Sequence, residues 1–194
     1  MEPATAASAL TFANRLLKWF VQTKNEQSVR SPTAHQVIEA LTGLARDCKN
    51  SVKVSGIWPS PPADAEEAED HVWTTPKSPV ELRTLNTSPG FEKFSQETKA
   101  GVYSVLREYD RVTDSIAHLE AEALNPYADG QDCWDTNKRL FEVGFATVAR
   151  AAAETVRLVT KNEVGVSAWD RDGDVWVQEF IDLERRFREA HNAN

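Results

Sequence analysis

Apolar residues recur every three or four positions along most of this chain, and the stripes they trace define five amphipathic helices. In the first, over about 5–22, Leu10, Ala13, Leu17, Phe20 and Val21 form one stripe. Phe12, Leu16 and Trp19 widen it, so this segment is expected to be buried against more than one neighbour. Ser31 and Pro32 then open a second helix, expected over 32–51. A serine hydroxyl accepts a backbone N–H at the N-cap, and proline at the first helical position gives up a donor that has no partner there. Its inner face reads Ala34, Val37, Ile38, Leu41, Leu44, Ala45 and Cys48. The short polar link between these two helices predicts antiparallel neighbours.

The longest stripe follows Ser88 and Pro89. Phe91, Phe94, Thr98, Val102, Val105, Tyr109, Val112, Ile116, Leu119 and Ala123 step by three or four until Asn125-Pro126 closes the pattern. This predicts one continuous helix of about 35 residues, roughly 50 Å long at 1.5 Å per residue. Gly101 inside it costs about 1 kcal/mol relative to Ala, which points to close approach of another helix. A fourth helix is expected over 136–161, with Leu140, Phe141, Val143, Phe145, Val148, Ala151, Ala152, Val156 and Val159 inward. Arg150, Glu154 and Arg157 on its far side stand at ion-pair spacing. The last helix, from about Asp174 to His191, turns Trp176, Val177, Phe180, Leu183 and Phe187 inward. Asp182–Arg186 and Glu184–Arg188 are expected as pairs on its exterior.

No segment alternates with period two for long enough to make a strand. The predicted fold is therefore all-α, an antiparallel bundle of about five helices forming a single domain over 1–194. One long irregular crossover, residues 53–88, joins the second helix to the third. The stretch 55–90 holds six of the nine prolines, which remove backbone donors and disfavour helix at the residue before them. Within it, "ADAEEAED" carries five acids and no base. The acidic middle is expected in solvent, with Ile57, Trp58, Val72 and Trp73 anchoring its ends on the bundle.

Composition narrows the function. Acids outnumber bases 30 to 22, a formal charge of −8, which opposes nucleic-acid binding because phosphate contacts need clustered Lys and Arg. No run of 18 apolar residues occurs, so no transmembrane segment is expected. The N-terminus has an acid at position 2 and no basic stretch ahead of its apolar residues, unlike a secretory signal. The cytoplasm is the expected location, and the nucleus is equally compatible. Cys48 and Cys133 have no metal-ligand spacing and are expected as free thiols.

Candidate chemistry concentrates in "VSAWDRDGDVWVQEF". Asp170, Asp172 and Asp174 match positions one, three and five of a calcium loop of the EF-hand pattern. Position six is Val175 where glycine makes the turn, and position twelve is Ile181 where a carboxylate should close the cage. These aspartates are at most a weak metal site, and the better reading is the start of the last helix, where acids favour the helix dipole. His118, flanked by Asp114 and Glu122 at helical spacing, reads as part of a solvated face. No metalloprotease, P-loop, nucleophile-elbow or dinucleotide motif is present, and no Glu precedes a His by three positions. No cofactor is expected. Of four Ser-Pro pairs, at Ser31, Ser60, Ser78 and Ser88, two read as helix starts, and Ser60 and Ser78 fall in the crossover within reach of a proline-directed kinase.

The leading expectation is a non-enzymatic protein–protein interaction module, an adaptor or a subunit of a larger assembly. Its partner would be a protein with a basic or helical surface, held by the crossover or by an exposed groove of the bundle. The partner-binding candidates are Trp58, Asp64, Glu66, Glu67, Glu69, Asp70 and Trp73, because tryptophan is enriched at interface hot spots. Two alternatives stand beside it. One is a membrane-perturbing bundle that releases the apolar first helix. The other is a small-molecule-binding or enzymatic bundle with its ligand near Tyr109, Phe141 and Phe145.

Overall fold

A computed structural model describes residues 32–53, 75–123, 130–164 and 171–192. The expected first helix and the stretch 54–74 of the crossover lie outside the described residues. Helix α1 covers 32–53. After it come α2 (Val80–Leu85), α3 (Pro89–Glu92), α4 (Gln96–Ala123) and α5 (Gly130–Val159). A π-helical turn, Thr160–Val164, follows, and α6 (Arg171–Asn192) comes last. No strand occurs among the described residues. The protein is an all-α bundle.

The described stripes bury most of the residues expected inside, though Ile38, Leu140, Val143, Ala151, Trp176 and Phe187 are only partly buried. Val37, Leu41, Ala45 and Cys48 of α1 are fully buried, as are Val102, Val105 and Val112 of α4 and Phe145, Val148 and Ala152 of α5. Phe180 of α6 is 1% exposed. Each fully buried side chain of this size contributes about 1.5–3 kcal/mol. Helices α4 and α5 run antiparallel, since Gly144 faces Val112 while Gly101 faces Thr155 and Leu158. A Cβ at Gly101 would stand 3.1 Å from Thr155 Cγ2, so the close helix approach expected there is present. Helix α6 returns antiparallel to α5, with His191 against Glu142 at one end and Asp174 against Arg157 at the other. Thr33, at the start of α1, meets Gly90 just ahead of α4. Leu44 and Asp47, late in α1, stand beside the chain 77–82, and Pro76 and Arg83 at its two ends are bonded to Tyr109 and Asp110 of α4. Helices α1 and α4 are therefore parallel neighbours, and a parallel pair requires the long connection that the prolines occupy.

Three expectations about boundaries need correction. The stripe after Ser88 is two helices rather than one. Ser88 caps α3, its hydroxyl accepting the Phe91 N–H at 3.3 Å, but the helix closes at Lys93 and a second cap, Ser95, opens α4 by accepting the Thr98 N–H at 3.2 Å. Serine offers the backbone a side-chain partner that competes with helix continuation. The break lets Phe91 and Phe94 pack with ring centroids 5.1 Å apart, both buried. Second, the crossover is not irregular to its end, because α2 forms within it and sinks Leu82 into the core at 1% exposure. Third, α5 begins at Gly130 and α6 at Arg171, each ahead of the position expected from its stripe.

Two ionic expectations also change. Glu184 lies inside the α5–α6 seam rather than on the exterior, with its side chain 7% exposed. It does pair with Arg188, as expected, and additionally with Arg150. Asp182 pairs with Arg185 at 2.7 Å in place of Arg186. Arg150 and Glu154 pair within α5 at 3.2 Å, as their spacing implied, whereas Arg157 reaches across to Asp174 at 3.4 Å.

Candidate functional site

One ridge of α1 carries Glu39, Gly43 and Asp47 at successive spacings of four, which places them in line on one face. Beside that ridge, at the end of the crossover, runs the chain 77–82. Between the two lies a groove of about 400 Å³. Ala40, Leu44 and Leu82 form its apolar base, and Glu39, Asp47, Lys77 and Glu81 are charged groups on its lining. No heavy atom lies within 4 Å of a Cβ built on Gly43, so the groove is open above that residue. Val80, at its edge, is 62% exposed.

The wall formed by 77–82 is held in place from beneath. The Tyr109 hydroxyl donates to the Pro76 carbonyl at 2.8 Å. Burial raises the pKa of that hydroxyl, with a smaller push from Cys48, which keeps it in its donor form. Arg83 of α2 is ion-paired with Asp110 of α4. Pro76, Pro79 and Leu82 are buried. A groove wall fixed by three separate contacts is already shaped before anything enters it, which lowers the ordering cost of binding. Three carboxylates face one ammonium here, and none of the four is ion-paired among the described residues. The groove therefore presents negative potential over an apolar base.

Two further polar clusters have structural duties. In the α5–α6 seam, Glu184 is held by Arg150, by Arg188 and by the Thr147 hydroxyl at 2.9 Å, while Glu142 contacts His191 at 2.7 Å. At the start of α4, Glu163 of the π turn accepts the Ser95 N–H at 2.8 Å, and Asn162 donates to Glu97 at 3.2 Å. The π turn thus brings two polar side chains, one to a backbone N–H and one to a carboxylate, at the start of a helix more than 60 residues earlier in the chain. Burial, and secondarily Asp47, pushes the pKa of the free Cys48 thiol far up, so it is poorly suited to act as a nucleophile.

The residues singled out in the sequence are only partly within view. Trp58, Asp64, Glu66, Glu67, Glu69, Asp70 and Trp73 lie outside the described residues, as do Asp170 and the apolar segment 5–22. Asp172 and Asp174 fall in the first turn of α6, in keeping with the helix-start reading, and Asp174 pairs with Arg157. Among the described residues, no group of three or more His, Cys, Asp or Glu could hold a metal ion. Tyr109, Phe141 and Phe145, where an interior ligand was considered, pack on one another with centroids 6.1 and 4.9 Å apart and are at most 6% exposed. No helix among the described residues is long and apolar enough to cross a membrane. The groove is not legible from the helical stripes, because α2, which forms its wall, lies in the proline-rich crossover. The in-line ridge of Glu39, Gly43 and Asp47 was the signal that could have marked it. Compared with protein-family models, curated proteins and solved structures, the chain has no significant match.

Proposed function

We propose that this protein is a non-enzymatic interaction module of the cytoplasm or nucleus, and that the groove between α1 and residues 77–82 holds a basic amphipathic helix of a partner protein. The observation that carries this reading is a preformed groove with an apolar base, an exposed Val80 at its edge and an excess of carboxylates without ion-pair partners among the described residues. A helix lying in such a groove would set its apolar stripe on Ala40, Leu44 and Val80 and its Lys or Arg residues against Glu39, Asp47 and Glu81. The net charge of −8 would speed the approach of a basic partner. In sequence, the acidic stretch 64–70 lies shortly ahead of the groove wall 77–82.

The test uses a synthetic helix of about 18 residues, with Leu at helical spacing and Lys elsewhere, titrated into the full chain by fluorescence anisotropy. Gly43→Trp has room for its Cβ, puts an indole in the groove and leaves every charge in place. It is expected to weaken binding about tenfold or more, whereas general attraction to an acidic protein would leave affinity unchanged. Val80→Glu and the triple reversal Glu39→Lys, Asp47→Lys, Glu81→Lys should weaken it comparably. If Gly43→Trp binds the peptide as tightly as the parent chain, the groove is not the docking site.

A further inference from the structure

We infer that Ser78 is an acceptor for a proline-directed protein kinase, and that its phosphorylation tightens the groove's hold on a basic helix. The second half of this inference rests on the docking reading above. Four serines precede proline in the chain. Ser88 is committed, since its hydroxyl caps α3. Ser31 and Ser60 lie outside the described residues. Ser78 differs from Ser88 in its exposure and in its uncommitted hydroxyl. It is exposed, it belongs to the non-helical stretch 75–79, and its hydroxyl makes no hydrogen bond among the described residues. The chain turns just after it, the Ser78 carbonyl accepting the Val80 N–H at 2.8 Å, while the serine itself stays at the surface.

Its surroundings give the modification a consequence. Ser78 lines the groove between Lys77 and buried Pro79, opposite the Glu39 ridge. In the transfer, the Ser78 Oγ bonds to the γ-phosphorus of a nucleoside triphosphate and the bond from that phosphorus to the β–γ bridging oxygen breaks. The diphosphate leaves, and the hydroxyl proton passes to the base of the kinase. The groove gains about 1.5–2 negative charges and three acceptor oxygens. Lys77 offsets part of this in the free protein, while the carboxylates of Glu39, Asp47 and Glu81 raise the local repulsion. A basic helix relieves that repulsion and adds charge-assisted hydrogen bonds to the phosphate. Both effects favour the bound state over the free one. The wall that carries Ser78 is pinned through Tyr109 and Arg83, so the phosphate stays where an incoming helix meets it.

The full chain is incubated with a proline-directed serine kinase and ATP–magnesium, the phosphate is located by peptide mass spectrometry, and the Lys/Leu helix is titrated before and after. Phosphate on Ser78 with affinity raised about fivefold or more at low salt is expected. The gain should shrink towards unity at about 0.5 M salt, and Ser78→Ala taken through the same treatment should show none. Phosphate confined to Ser31, Ser60 or Ser88 overturns the acceptor assignment. Phosphorylated Ser78 with unchanged or weaker affinity overturns the coupling to the groove. Absence of peptide binding in both forms instead overturns the docking reading and the coupling with it, while the mass spectrum still decides whether Ser78 is the acceptor.

Discussion

Gly144 sits in the half of α5 that faces α4, and a single methyl there is a sharp probe of how closely these helices pack. A Cβ built on it stands 2.9 Å from both Cγ1 and Cγ2 of Val112, against about 3.5–4.0 Å for carbons at optimal separation. Rotation of Val112 gives no escape. Its two methyls occupy the two positions facing the glycine, so turning χ1 by one step leaves one of them in place, and valine in a helix is strongly held to one rotamer besides. Relief requires the helices to part by roughly 0.5–1 Å, which forfeits a quarter to a half of the attraction at neighbouring contacts. Those neighbours include Val105, Val148 and Ala152, all fully buried. Overpacking of this kind costs about 1–3 kcal/mol, and the better helix propensity of alanine returns about 1 kcal/mol. Gly144→Ala is thus expected to lower stability by about 0–2 kcal/mol, read as a lower urea midpoint at unchanged slope. Val112→Ala alone should cost on the order of 2 kcal/mol through the cavity it leaves. The double variant should be less destabilised than the sum of the two, because the added methyl then enters vacated space. Strict additivity, or a Gly144→Ala chain more stable than its parent, would refute the close approach of α4 and α5.

Other expectations follow from the polar clusters. Glu163→Ala removes the acceptor of the Ser95 N–H and should cost about 1–3 kcal/mol by urea denaturation, whereas Glu163→Gln keeps an acceptor and should retain most of that stability. Glu184→Ala leaves Arg150 and Arg188 without their shared carboxylate and should cost about 2–3 kcal/mol; an unchanged midpoint would show the seam to be dispensable. The hydrogen bond from Arg111, helped by nearby arginine charge, holds the Glu108 carboxyl below its usual pKa. A folded value below the unfolded one means that the contribution is complete above the unfolded pKa and is lost as pH falls through the folded one. Both side chains reach solvent, so Arg111→Ala should cost only a few tenths of a kcal/mol near neutrality and nothing at about pH 2.

The hydrophobic period by itself settled a great deal about this protein. It marked the inner faces of α1, α4, α5 and α6, and it ruled out strands in the described segments. The reason is local: helix geometry fixes which positions share a face, and burial rewards apolar area whatever lies opposite. Gly101 even announced a close helix contact before any partner was known. The tertiary structure decided everything that depends on a residue far away in the chain. The break ahead of Ser95 is completed from afar, since Glu163, 68 residues later, takes the Ser95 N–H. Glu184 is interior because Arg150 and Thr147 of another helix reach it. The groove exists because α2 docks Leu82 and Arg83 beside a ridge of α1 that carries Gly43 where a bulkier residue would close it. Periodicity reports how strongly a face prefers burial, but not which surface meets it, since that choice rests on shape and hydrogen-bond partners that come together only when the chain has folded.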